Sequence, residues 1–348
     1  MRFALTEDQV DFRDAVRGLL DDTCPPDAVR AAWAGTAGEH IGAGGGDGRV
    51  RTAWSALAEM GVLGLLVPEE HGGLGLTDED IVPLLVECGR AALPDPVSSS
   101  AYVAAGLLRD HAPAPVAESW LPRIASGDAT VLVGFAGSPN LPAGATADAF
   151  LMCDGGDVHL LAPSGVRLTP VESVDGARAL CRVDWEASPG SLIASGEVGF
   201  LAVNQAFDRA ALGAAAQLVG LGERMVDLTV GYVTERTQFG VPVGSFQAVK
   251  HHLADAALAV SFVHPLVLQA AYSLAHGTDD AAVHVSMAKA RASTAASLAA
   301  STALQCHGAI GYTVEYDLHL FMKRTWALAS RYGDADFHRD RVRAALLP

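Results

Sequence analysis

Positive charge is scarce in this chain. Lys and Arg number 24 against 40 Asp and Glu, and the net charge over 348 residues is −16. A chain this acidic repels nucleic-acid phosphates and anionic lipids. No basic stripe compensates, so nucleic-acid binding is excluded, and the acidity reads as solubility. Charge of either sign is thin at 18%, while half of the residues are hydrophobic. That balance excludes a polar disordered protein. The five cysteines (Cys24, Cys88, Cys153, Cys181, Cys306) include no C-x-x-C pair. Unpatterned thiols in a chain this long imply reduced cysteines and a cytoplasmic protein. "MRFALTEDQVDF" lacks the apolar run of a signal peptide, because acidic residues arrive first. No run of about 18 or more uncharged apolar residues reads as a membrane span. The stretch from Ala256 comes closest and is broken by His264, Pro265 and Gln269. No metal is implied: His251 and Asp255 fall at i, i+4, with no further ligand. "GAGGGDG" lacks the strand and the Lys-Ser/Thr pair of a phosphate loop.

What the chain does have is alanine, the best helix former, in three textures. Residues 1–127 read as an N-terminal helical domain. Val10, Phe12, Val16, Leu19 and Leu20 make one helical stripe behind Thr6, a capping residue. A glycine-rich loop follows at 34–49. "DEDIVPLLVECGRA" gives a second stripe, expected to start near Pro83, and "VAESWLPRIASGD" a third that ends at Gly127. Residues 128–197 change to short apolar or alternating runs such as "TVLVGF", "AFLMC" and "VHLLA", separated by turn residues. These predict a small central antiparallel β domain. From 198 to 348 the helical period returns in long, nearly uncharged segments, among them "SFQAVKHHLADAALAVSFVHPLVLQAAYSLAHG". Such helices pack closely in a bundle or between subunits.

"ERTQFGVPVGSFQAVKHHLAD", residues 235–255, is the most informative stretch. A helix-turn-helix explains Gly240, Pro242 and Ser245, the last as a cap. It does not require Arg236, Gln238 or Gln247. Here the chain resembles the acyl-CoA dehydrogenase family, whose flavin-contacting signature has the spacing R-x-Q-F-G-x-P-x-x-x-F-Q. Two further segments are similar to that family: "QCHGAIGYTVEYDLHLFMKR" at 305–324 and "LAEMGVLGLLVPEEHGGLGL" at 57–76. The resemblance implies a mainly α fold with a small β domain: an N-terminal helical domain, a central antiparallel β domain and a C-terminal four-helix bundle. It implies FAD. Arg236 and Gln238 would reach the FAD diphosphate of an adjacent subunit, with Phe239 beside the adenosine part. Gln247 would hold the flavin from the same segment. Gln305, His307, Gly308 and Gly311 would let backbone approach the other subunit's cofactor. Ala309 stands where the family usually has a second glycine.

The implied reaction is α,β-dehydrogenation of an acyl-CoA or other acyl thioester. Electrons would pass to an acceptor such as an electron-transfer flavoprotein. The implied assembly is a homodimer, a homotetramer or a heterotetramer with a paralogous subunit. The family places its glutamate base at one of two positions, which here read Tyr332 and Ala210. Asp334, two residues further on, is the remaining candidate for the base; the structural alternative makes it a helix cap behind Gly333. Asp208 of the Phe207-Asp208 pair, Arg209 and Tyr312 are the candidate substrate contacts, Arg209 standing in for a family arginine that falls at Ala211. The absent glutamate leaves three roles open: a dehydrogenase subunit, a non-catalytic partner completing another subunit's FAD site, or a different flavin reaction on a carrier-bound substrate, such as an oxygenation.

Overall fold

The structure, a computed structural model, describes residues 4–33, 46–138 and 140–347. The glycine-rich loop lies largely outside them. Among the described residues, six α-helices form the N-terminal unit: α1 (Glu7–Thr23), α2 (Pro26–Ala31), α3 (Arg51–Glu59), α4 (Asp78–Arg90), α5 (Ala105–His111) and α6 (Ala114–Ala125). A π-helical turn, Ser98–Ala104, runs directly into α5. The start of α1 follows from its sequence. The Thr6 hydroxyl accepts from the Gln9 N–H, and the Gln9 side chain accepts from the Thr6 N–H. That reciprocal pair is a capping box. Val16 and Leu20 of the expected stripe are fully buried.

α4 begins five residues before Pro83, at Asp78, contrary to the expectation from proline. Thr77 and Asp80 form a second capping box, and three acidic residues fill the first turn. Cap and dipole together outweigh the one N–H that Pro83 lacks.

The central unit has seven strands: β1 (Val131–Phe135), β2 (Asn140–Leu141), β3 (Ala149–Asp154), β4 (Asp157–Leu161), β5 (Val166–Pro170), β6 (Cys181–Trp185) and β7 (Leu192–Ala194). They form two sheets, ordered β1-β3-β4-β7 and β2-β6-β5. All pairs are antiparallel except β1–β3. That pair is parallel because the chain crosses through β2 in the other sheet before returning.

The 40-residue α7 (Gly196–Glu235) opens the C-terminal unit. A two-stranded hairpin follows, β8 (Thr237–Gln238) and β9 (Val241–Pro242), then α8 (Gln247–Ser261), α9 (His264–Ala275), α10 (Ala281–His307), α11 (Leu318–Ser330) and α12 (Ala335–Leu346). The single long helix considered from "SFQAVKHH…" is two helices. The break falls at Phe262–Val263, just before Pro265, which offers no N–H to the preceding turn. By length and hydropathy alone Gln247–Ala275 qualifies as a membrane span, with a mean hydropathy of 1.5. It is divided between α8 and α9. α10 lies at the centre of the bundle, and its buried face is mostly alanine (Ala288, Ala292, Ala295, Ala296, Ala299, Ala303).

α4 and α7 touch backbone to backbone. A Cβ on Gly220 would lie 1.9 Å from the Val86 carbonyl oxygen, and one on Gly89 would lie 2.1 Å from that of Gln217. These two glycines let the N-terminal unit lock against the long helix that carries Ala210 and ends just before Arg236.

Candidate functional site

The residues of the flavin signature gather at one end of the bundle and face outward. α7 stops at Arg236, and the chain turns through the β8–β9 hairpin. The turn residues Phe239 and Gly240 have φ of 53° and 80°, the left-handed pair that a tight hairpin turn needs. Glycine accepts that conformation freely, whereas a bulky residue pays for it. The Phe239 ring is 92% exposed and meets the edge of Phe246, with ring centroids 6.3 Å apart. Gln238 is exposed, and its side-chain amide donates only to the carbonyl of neighbouring Thr237. Arg236 is exposed, and among the described residues no carboxylate pairs with it. Gln247 opens α8 and is also exposed. Ser245 is not the cap of α8; its hydroxyl donates back to the Pro242 carbonyl at 2.7 Å, and Phe246 takes the cap position.

The second signature segment joins this edge through an aromatic stack. His307, the last residue of α10, lies on Tyr232 with ring centroids 4.4 Å apart and 4.8 Å from Tyr316. Its Nδ1 pairs with the Ala303 carbonyl at 2.8 Å, while the buried Nε2 has no partner. Burial lowers the pKa of the ring. Nδ1 therefore carries the proton, and Nε2 is left as an unused acceptor. Gly308 has φ 64° and ψ −138°, a conformation open essentially to glycine alone. Its Cα faces open space, whereas a Cβ on Gly311 would crowd His307 and Leu304 of its own chain. Gly311 is thus explained locally, and Gly308 remains available for approach from outside. Gln305 is exposed, and Tyr312 is 79% exposed.

These residues fit the FAD contacts expected of them. Arg236, Gln238, Phe239 and Gln247 are exposed together, and Gly308 is open to approach beside them, while the His307 ring is buried behind that surface against Tyr232 and Tyr316.

The base positions lie elsewhere, and neither supplies a carboxylate. Ala210 is wholly buried in α7. Tyr332 sits at φ 57° with its ring edge-on to Phe135, centroids 5.8 Å apart. Phe207 meets the same Phe135 at 5.6 Å and also touches Phe337 and His338. An aromatic plug therefore occupies the junction of β1, α7 and α12. Sequence reading used Phe207 only as a marker for its neighbours and missed this role. The cavity beside Tyr332 measures about 60 Å³, room for a few waters rather than an acyl chain.

Asp334 is a cap. Its Oδ1 accepts from the Phe337 N–H at 2.9 Å at the start of α12. It borders a surface groove with Ser293, Trp326 and Arg339, not the cavity at Tyr332. Of the two readings of this residue, the geometry takes the structural one.

The candidate substrate contacts are also committed inward. Asp208 pairs with Arg341 at 2.9 Å. Arg209, 5% exposed, lies between Asp78 at 3.1 Å and Asp110 at 2.9 Å. It cannot stand in for the arginine that Ala211 replaces, because both faces of its charge are taken.

Beneath the Tyr332–Asp334 turn lies Lys289, fully buried in α10. Its Nζ donates to Ser293 Oγ and to the carbonyls of Ala329 and Gly333, each at 3.0 Å. Three acceptors match three ammonium donors. Burial still pushes its pKa down to about 7, with Asp334 opposing. Between about pH 7 and 10 the unfolded chain holds this proton and the folded chain releases it. Stability should therefore rise with pH across that window. Urea midpoints at pH 7 and 9.5 should show a gain in the wild type that Lys289→Met lacks.

Comparison with known proteins bears on the family and the fold. Residues 6–128 match the family model "Acyl-CoA dehydrogenase, N-terminal domain", and residues 197–347 match "Acyl-CoA dehydrogenase, C-terminal domain". The chain is 31% identical to acyl-CoA dehydrogenase IpdE2 of Mycobacterium tuberculosis, over 91% of each chain. It is 32% identical to IpdE2 of Mycolicibacterium smegmatis, over 94% of this chain and 96% of that one. Among solved structures it superposes on the ChsE4-ChsE5 complex from Mycobacterium tuberculosis with TM-score 0.84 and 24% identity, covering both chains in full. Glutaryl-coenzyme A dehydrogenase gives TM-score 0.85 at 20% identity, over 100% of this chain and 97% of that one. Both likenesses bear on the fold alone. The family models and the two IpdE2 relatives establish that this chain belongs to the acyl-CoA dehydrogenase family.

Proposed function

We propose that this chain acts in acyl-CoA dehydrogenation as a partner subunit: it completes the FAD site of a paralogous subunit and leaves proton abstraction to that paralogue. The observation that carries the reading is the contrast between its two ends. The residues matching the family's flavin signature are exposed, while both base positions are non-acidic and the cavity beside Tyr332 is too small for an acyl chain. Removing an α proton needs a base within hydrogen-bond reach and donors on the thioester carbonyl. Tyr332 is a poor base, with an ordinary pKa of about 10, and Ala210 has no titratable group.

The chain's own residues nevertheless have work to do. The Arg236 fork suits two phosphate oxygens, and the Gln238 amide adds a donor beside it. The Phe239 ring offers a flat apolar face next to them. Gly308 offers a backbone without a Cβ. FAD, when bound, supplies the hydride-accepting chemistry. Electrons would leave for an external acceptor such as an electron-transfer flavoprotein.

The heteromeric arrangement has a precedent in fold in ChsE4-ChsE5. Exposed Leu258, Phe262 and Phe239 supply apolar surface for a neighbouring subunit to cover.

Visible absorption tests the reading. Purified alone, the chain should be colourless in the flavin region. Co-purified with a paralogue carrying the family glutamate, the assembly should retain FAD. A yellow chain that holds FAD without any partner would overturn the assignment.

A further inference from the structure

The cavity beside Tyr332 has an unbalanced charge. Four guanidiniums approach it or its walls: Arg49, Arg178, Arg324 and Arg331. Two of them are neutralised. Arg49 pairs with Asp95, which also accepts from the Val50 N–H at 2.7 Å. Arg324 pairs with buried Asp175 and donates to the Leu93 carbonyl at 2.7 Å. Arg178 and Arg331 remain, and among the described residues no carboxylate pairs with either. Arg331 spends one nitrogen on the Asn140 carbonyl at 3.0 Å, and its guanidinium lies 4.6 Å from the Tyr332 ring centre. The lining continues with Ser98, Ser99 and Gln217.

We propose that this cavity, between the β domain, α7 and α11, binds one small oxyanion of carboxylate or phosphate type, held by Arg178 and Arg331. The volume fits. About 60 Å³ holds a few waters, given that one water needs roughly 10–15 Å³, or one compact oxyanion. The donors fit as well. Two guanidinium forks match planar or tetrahedral oxygens. The Ser99 hydroxyl accepts from the Val133 N–H at 3.1 Å, which leaves its own hydrogen to donate. Ser98 and Ser99 also begin the helical stretch that runs to His111, so its positive end adds to the field.

The electrostatics favour an anion. Burial and the neighbouring charge of Arg331, with a smaller push from Arg324 and with Asp175 opposing, bring the ionisation of Arg178 down to about 9. Like charges held together out of water repel strongly, and an anion between them removes that repulsion. The inference stands on this geometry and does not depend on the partner-subunit role.

Calorimetric titration of the full chain in its native assembly tests it. The probes are inorganic phosphate, acetate and glutarate, each against chloride at matched ionic strength. At least one oxyanion should bind saturably, and comparison of the arms identifies its class. Arg178→Gln and Arg331→Gln should each weaken that binding by about tenfold or more, as loss of a charge-assisted bond implies. Circular dichroism checks that each variant is folded. Should a Gln variant fail to fold, the corresponding Arg→Lys variant keeps the charge and loses the fork, and weaker binding is expected there too. No saturable heat from any oxyanion, or affinity unchanged in the folded variants, would overturn the proposal.

Discussion

Arg209→Met should destabilise the fold by about 3–5 kcal/mol, the usual cost of breaking a buried ion pair from one side. Arg209 holds two carboxylates at once, Asp78 and Asp110. Asp78 is 1% exposed and also accepts from the Tyr102 hydroxyl at 2.8 Å. Without the guanidinium, a buried carboxylate keeps a neutral hydrogen bond and loses the cation paired with it. The neighbours enforce this position. A Cβ on Gly106 would lie 2.8 Å from Arg209 Nη1, so the guanidinium rests on bare helix backbone. The network ties α4, α5 and α7 together, and the loss should be global. Urea unfolding followed by circular dichroism reads it as a lowered midpoint. Asp78→Asn in the same chain should recover part of the loss, because a neutral amide still accepts from Tyr102 and needs no counter-ion. An Arg209→Met midpoint within error of wild type would mean that the charges are not buried as described.

The second large effect is on cofactor retention and leaves stability alone. Arg236→Ala should remove FAD from the assembly with the paralogue, weakening it by roughly ten- to a hundredfold, the range of one or two lost charge-assisted bonds. Arg236 is exposed, so the variant should unfold with the wild-type midpoint. Arg236→Lys should rescue only part of the affinity, since a point charge does not reproduce the fork. Flavin content after gel filtration checks both variants. The split between lost flavin and unchanged stability separates a cross-subunit contact from a structural one.

Much of this was legible in the sequence. The three textures correspond to the helical, β and helical units, because apolar periodicity reports which face each element buries. Thr6 announced α1 through capping chemistry that acts within one turn. The outward direction of Arg236, Gln238 and Phe239 follows from a turn whose Phe-Gly pair requires two positive φ angles.

What sequence could not settle was which of two competing local roles a residue takes. Thr77 outweighs Pro83 at the start of α4, because a reciprocal cap and three acidic residues exceed one missing N–H. Asp334 and Arg209 each had a functional and a structural reading. Only the positions of Phe337 N–H, Asp78 and Asp110 decide between them, and two of those three come from other elements. The aromatic plug and the unbalanced guanidiniums join residues from β1, α7, α11 and α12, so no spacing along the chain records them. Lys289 did leave a signal, a lone lysine in an alanine-rich helix with Ser293 one turn on, but its two carbonyl acceptors appear only once the Ala329–Gly333 stretch is packed against α10.

The partner-subunit reading stands on the missing base. The chain alone, reconstituted with excess FAD and mixed anaerobically with acyl-CoA thioesters of varied length, tests that directly. The account predicts that the flavin absorption stays unbleached with every one of them. Bleaching by any acyl-CoA in the absence of a second subunit would contradict it.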